Sequence, residues 1–211
     1  MPKLKVLLLT ACLLVAPFCY STGTTERHLL EQCISYEDLR TAIRYGQSWV
    51  DYPGYADRKA WEERVAPEMK EIIIRNGEKA LTHIWKPDLA SDYLAFKRTG
   101  EIRTGRANHR ALQALTLAEL VEGKGRFMDA IIDGTWFLCE TSWIHSAHLG
   151  FQKDRSGLPD RNEPTIELVV ADIGAQMAWT YYFLKDEFDK VSPLINQRIV
   201  EEVTKNLITP Y

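Results

Sequence analysis

Ile166-Glu167-Leu168-Val169-Val170-Ala171-Asp172-Ile173-Gly174-Ala175-Gln176-Met177-Ala178-Trp179-Thr180-Tyr181 carries the clearest period in the chain. Ile166, Val169, Val170, Ile173, Met177 and Tyr181 recur at steps of three and four, which gathers them on one side of a helix. Pro164 stands just upstream, where a first helical turn tolerates it. Downstream, Ser192-Pro193 reads as a capping residue followed by proline at the first helical position. Ile195, Ile199, Val203 and Leu207 then repeat every four residues, with Arg198, Glu201, Glu202 and Lys205 assigned to water.

The same period extends towards the N-terminus. Residues 107 to 122 form a helix with Ala111, Leu112, Leu115 and Ala118 inward and Glu119 and Glu122 outward. Gly123 and Gly125 separate it from a helix in which Phe127, Ala130, Ile131, Gly134 and Leu138 share a face. A mid-helix glycine costs about 1 kcal/mol relative to alanine, so Gly134 predicts close approach of a neighbouring helix. From Lys59, Trp61, Val65, Met69, Ile72 and Ile73 make a helical face that Pro67 splits or kinks, and Gly77 ends the stretch or starts the next turn. Asp88 is expected to cap a helix carrying Leu89, Tyr93, Leu94 and Phe96, with Gly100 as its stop. Ser35 and Asp38 start a short helix through Leu39, Ala42 and Ile43, and Asp51-Tyr52-Pro53-Gly54-Tyr55 is a turn-rich aromatic loop. No run alternates as strands do. The expected fold class is all-α, built from antiparallel helix pairs with one long polar loop from Gly150 to Asn162.

Composition agrees with a packed domain: 45% hydrophobic and 26% charged residues describe a globular chain, and 211 residues can bury a real core. A formal charge of −3 supplies no basic field, so nucleic acid is not an expected partner. Six tryptophans and nine tyrosines suit a sugar-stacking surface, although large core side chains account for most of them. Lys3 and Lys5 precede an apolar run from Val6 to Phe18, followed by Ser21, Thr22 and Gly23. That layout predicts a secretory signal peptide over residues 1–23 and export to the periplasm or the exterior. The run falls short of the roughly 20 residues a bilayer span needs, and no other segment reads as a span. Lipid anchoring at Cys19 is the lesser alternative, because Pro17 and Phe18 fit a lipobox poorly. Cys33 and Cys139 remain in the mature chain, and the sequence leaves their pairing open.

Functional groups concentrate in Cys139-Glu140-Thr141-Ser142-Trp143-Ile144-His145-Ser146-Ala147-His148-Leu149-Gly150 and in Gly157-Leu158-Pro159-Asp160. Polar and aromatic groups at a helix-to-loop exit are where a helical scaffold presents a binding surface. Trp143, His145, His148, Glu140 and Asp160 are the candidate substrate-binding residues. His145 and His148 share a face if helical, yet a metal needs a third ligand and only Glu140 or Asp160 is near in sequence, so no metal is expected. The pairs Asp129/Asp133 and Glu163/Glu167 have the spacing that juxtaposes two acids on a helix; glycoside hydrolysis needs two carboxylates, but those usually come from different elements and same-helix acids are more often a solvated face. Ser142 lacks a nucleophile elbow, and there is no phosphate loop or dinucleotide fingerprint, so no cofactor is expected. Arg103, Arg106, His109 and Arg110 cluster around Gly105, either as a solvated helix start or as a patch for carboxylate and sulfate groups.

Trp85-Lys86-Pro87-Asp88, Tyr93-Leu94-Ala95-Phe96-Lys97-Arg98-Thr99-Gly100, Leu138-Cys139-Glu140-Thr141-Ser142-Trp143, Gly157-Leu158-Pro159-Asp160 and Ser192-Pro193-Leu194-Ile195-Asn196-Gln197-Arg198-Ile199 together resemble the N-terminal part of heparinase II/III-like exported proteins. The resemblance covers most of the chain after about Leu30. It implies that residues 24–211 belong to an incomplete (α/α) toroid, normally followed by a β-sandwich. It also implies a lyase acting on acidic polysaccharides such as glycosaminoglycans by β-elimination. In that chemistry a base removes the C5 proton of a uronic acid, a neighbouring group neutralises its carboxylate, and the 4-linked oxygen leaves. The family's catalytic asparagine, tyrosine and histidine match no position here, so no catalytic residue is assigned. The expectation is a truncated portion, inactive as an isolated chain, whose partners are an acidic polysaccharide and a missing C-terminal toroid and β-sandwich portion. A non-catalytic carbohydrate-binding helical module and part of an (α/α)-barrel glycoside hydrolase are the alternatives.

Overall fold

Proline and glycine set most of the element boundaries, and the hydrogen bonds around them show how. The computed structural model describes residues 32–43 and 50–211. The expected signal peptide and Cys19 lie outside the described residues. The chain divides into a unit ending at Asp51 and a unit from Tyr52 to Tyr211. In the first, α1 (Tyr36–Ala42) is held by a reciprocal cap. The Asp38 amide donates to Ser35 Oγ at 3.1 Å, and the Ser35 amide donates to the Asp38 carboxylate at 3.3 Å.

The second unit contains α2 (Arg58–Arg64), α3 (Pro67–Ala80), α4 (Ala90–Thr99), α5 (Ala107–Glu122), α6 (Met128–Glu140), α7 (Leu168–Val191) and α8 (Pro193–Val203). A 3₁₀ turn (Ser146–Phe151) and a π turn (Thr204–Ile208) complete it, and no strand occurs among the described residues. The fold is all-α. No helix among the described residues is long and apolar enough to cross a membrane.

Pro67 opens α3 at its first position, so the apolar face that begins at Trp61 is split between two helices. Gly100 and Gly123 end α4 and α5 in the left-handed conformation, at φ 77° and 65°. At the end of α5, Arg58 donates from Nη2 to the carbonyls of Leu120 and Val121 at 2.6 and 3.1 Å. A guanidinium there satisfies acceptors that have no partner within the helix, and it favours the negative end of the helix dipole. Only Ser192 lies between α7 and α8, so the chain reverses and the two pack together as a hairpin. Ser192 Oγ accepts from the Leu194 amide at 3.3 Å.

The core joins α3 to α5, α5 to α6, and α7 to α5 and α8. Phe127, Leu112, Leu115, Ile131, Met177, Leu184, Phe188 and Ile199 are its largest fully enclosed apolar side chains. Five of these helix assignments need correction. Gly77 does not close a helix; it lies inside α3, where a Cβ would overlap the Ala118 Cβ of α5. Gly134 admits the indole of Trp85 from the extended segment before α4, not a neighbouring helix. Asp88 does not cap α4: the N-cap is Leu89, whose amide donates to the Asp92 carboxylate at 2.9 Å. Glu119 and Glu202, assigned to water, are buried.

Gly77→Ala therefore has an expected effect opposite in sign to helix propensity. Alanine would gain about 1 kcal/mol in an open helix. Here the obstacle is a Cβ on a packed helix, which cannot rotate away, and overpacking of this kind costs about 1–3 kcal/mol. A lower urea midpoint at unchanged slope is the expected result; a raised midpoint would show that the α3–α5 contact yields freely.

Two buried groups and one half-buried phenol make the fold sensitive to alkali. Burial, with Glu202 adding, pushes the Cys139 thiol up to about 12. Burial also raises the Tyr93 phenol, with Asp88 and Asp92 adding, and raises Tyr55, with its hydrogen bond to Glu119 adding. All three keep their protons in the folded chain after the unfolded chain has lost them, so the stability they confer is full below the unfolded values of 9.0 and 10.0. It falls as pH rises past those values. Urea midpoints should decline from about pH 9 upwards, and Cys139→Ala should flatten the first part of that decline. A flat wild-type profile to pH 11 would contradict it.

Candidate functional site

Helix α6 ends at Glu140, and the chain then runs through Thr141–His145 into the 3₁₀ turn. His145 caps that turn, its Nδ1 accepting from the Ala147 amide at 3.3 Å. Three residues make one turn of a 3₁₀ helix, so His145 and His148 fall nearly in line and their ring centroids are 5.5 Å apart. Thr104 ties the loop before α5 to this turn: its Oγ1 accepts from the Ser146 amide at 3.2 Å and lies 2.8 Å from Ser146 Oγ.

Glu167 organises the arrangement from below. It is the N-cap of α7, accepting from the Val169 and Val170 amides at 2.9 and 3.1 Å. The same carboxylate accepts from the His145 amide at 3.2 Å and pairs with His148 Nδ1. With Nδ1 committed to the carboxylate, His148 keeps Nε2 for a ligand. Glu167 was expected to stand with Glu163 on one helix face. Neither lies within α7, because the carboxylate caps the helix instead of riding on it. The Glu163 carboxylate accepts from the Lys153 amide at 2.9 Å and closes the polar loop. Asp129 and Asp133 do lie on α6, both exposed.

A small cavity opens between Pro87–Asp88, Thr104–His109 and Ser142–His145. At about 30 Å³ it holds a few waters and not a sugar ring. Its titratable groups are perturbed by burial first. His109 is held below the ordinary imidazole range by burial, with Arg106 and Arg110 adding and Asp172 opposing. His145 is lowered by burial, then by His148, while Glu167 opposes and Arg106 adds. Asp88 is raised by burial and Asp92, against a hydrogen bond from the Gly105 amide. Arg106 itself pairs with Asp172 at 3.0 Å.

The five candidate binding residues do not form one site. His145 and His148 stand together beside Thr104 and the start of α5. Trp143 is only 4% exposed, and its indole nitrogen donates to the Leu138 carbonyl at 2.8 Å. It is a wall between two cavities and offers no open stacking face. Asp160 lines the second cavity, of about 40 Å³, with Arg161, Glu202 and Lys205. Its backbone exchanges hydrogen bonds with the Gln152 amide, and its Oδ1 accepts from the Asn162 amide at 2.8 Å. Glu140 accepts from Arg198 of α8 at 2.8 Å. Sequence reasoning missed Glu167 as the organiser. The available signal was a carboxylate three residues before Val170, at the start of the strongest apolar period, which is an N-cap pattern. No family model matches the chain, and no curated protein matches it.

Proposed function

We propose that this protein is the N-terminal portion of an (α/α) toroid from an exported polysaccharide lyase, and that the His145–His148 rim binds an acidic glycan. The supporting observation is the company kept by Arg106, His109, His145 and His148. Arg106 lies within electrostatic reach of both His109 and His145 while paired with Asp172 at 3.0 Å, and the buried carboxylate of Glu167 is consumed by amides and His148. An anionic group docking at the rim would favour the charged forms of His109 and His145. The basic and apolar run at residues 3–18 supports export. No residue of this chain is assigned to the elimination step, so the reading is one of glycan recognition without turnover.

Protonation gives the test its sign. His145 and His109 are depressed in the free protein, and a bound carboxylate or sulfate favours their charged forms. Binding therefore takes up protons, and affinity should rise on acidification. Calorimetry with a heparin-derived hexasaccharide is expected to show tighter binding at pH 6 than at pH 8, by about 3-fold or more. His145→Ala and Arg106→Ala should each weaken it. Equal affinity at both pH values, or no binding at either, would remove the reading.

A further inference from the structure

We propose that the aromatic cleft between the Tyr52–Trp61 segment, α5 and α7 binds an uncharged pyranose ring. The cleft is lined by Tyr52, Trp61, Gln113, Gln176, Trp179 and Phe183, with Thr116, Leu117 and Leu120 behind them. Its volume, about 300 Å³, lies at the lower end of small-molecule pockets and is far larger than the two polar cavities beside Trp143.

The ring geometry favours a flat, C–H-bearing partner. Trp179 and Phe183 stack with centroids 5.6 Å apart and planes at 18°. Tyr52 meets both edge-on, at 5.9 and 6.0 Å, and Trp61 meets Phe183 edge-on at 5.8 Å. Such a cluster holds its rings in fixed orientations, so an apolar ligand face docks without reordering them. Tyr52 remains 48% exposed and Trp179 36%, which leaves ring surface at the mouth.

Polar groups stand beside those rings. Gln176 donates from Nε2 to Thr180 Oγ1 at 3.1 Å, which fixes its amide and leaves the carbonyl oxygen to accept a hydroxyl. Gln113 is exposed on α5 and lines the same cleft. A pyranose presents hydrogens on its faces and hydroxyls around its edge, the complement of rings flanked by amides. None of the described lining residues is charged. The Arg64 guanidinium lies over the Tyr52 ring at 4.7 Å, engaged with the aromatic cluster and outside the cleft lining. A uronate or sulfated ring would lose hydration among uncharged lining groups, so the ligand is an uncharged hexose or N-acetylhexosamine unit.

The inference shares with the preceding proposal the idea of a glycan-binding protein but uses none of its residues. The two therefore fail separately. Full-length protein would be titrated with cellohexaose, chitohexaose and the heparin-derived hexasaccharide, followed by tryptophan fluorescence and calorimetry. Saturable binding of a neutral hexasaccharide is expected, weakened about tenfold by Trp179→Ala and severalfold by Gln113→Ala, and unchanged by His145→Ala. Gln113 is exposed, so its variant keeps the test valid if Trp179→Ala does not fold. Neither neutral sugar binding at millimolar concentration, or binding indifferent to both cleft variants, overturns the proposal. So does an apolar fluorescent dye that occupies the cleft and is not displaced by either sugar. Loss of heparin binding on His145→Ala with neutral-sugar binding intact supports the cleft and leaves the two sites distinct.

Discussion

Glu119→Ala is expected to lower the unfolding free energy by about 3–5 kcal/mol, because it removes a fully buried acceptor from three donors at once. Glu119 is fully enclosed. Its carboxylate accepts from the Tyr55 hydroxyl at 2.6 Å, the Gly125 amide at 2.7 Å and the Phe127 amide at 3.1 Å. Those bonds hold the α5–α6 connection against the segment before α2. A hydrogen bond to a charged acceptor contributes about 1.5–3 kcal/mol, so Tyr55→Phe should cost about half as much as removing the carboxylate. Glu119→Gln keeps an acceptor but turns an amide group towards a donor, and should fall between the two. The double variant separates the shared bond from the rest: its loss should be smaller than the sum of the single losses. Urea unfolding gives all four values. A Glu119→Ala protein within about 1 kcal/mol of the parent would show that water replaces the carboxylate in the turn.

Local period made most helices legible. The boundaries of α5 follow from the apolar steps and from Gly123, whose φ of 65° needs a residue without a Cβ. Ser192-Pro193 announced a helix start and Pro67 a break in the apolar face, because proline fixes φ and has no amide to satisfy. Buried acids were illegible for the opposite reason. Glu119 sits at the edge of the apolar stripe, and its partners come from Tyr55 and from the turn that folds back over it. Glu202 has the same history: it is buried with Asn206 donating to it at 3.2 Å and Arg198 within 3.9 Å. A helical wheel assigns a carboxylate to water unless a long-range donor is known. Trp143 misled in another way. A tryptophan among histidines looks like a sugar platform, but its polar nitrogen found a carbonyl five residues back and the ring went inward.

Glu167→Ala should couple a large stability loss to dismantling of the histidine rim. The side chain is 98% enclosed by its surroundings, with 2% of its surface exposed. Four donors converge on it: the Val169, Val170 and His145 amides and the His148 ring. Loss of an N-cap alone costs about 1 kcal/mol, and a carboxylate at a helix N-terminus adds up to about 2 kcal/mol when partly buried. Orphaning His145 N–H and releasing His148 brings the expected total to about 3–5 kcal/mol. Burial also means that salt should screen little of it. Glu167→Gln retains an acceptor at the cap and should lose roughly half as much. Amide exchange and imidazole nitrogen signals would distinguish a cap from a ligand-binding acid. In the alanine variant, protection at Val169 and Val170 should collapse and the His148 Nδ1 signal should lose its bonded character together with glycan affinity. If the amides stay protected and stability holds while affinity disappears, the carboxylate touches the glycan directly, and the histidines are held by something other than the start of α7.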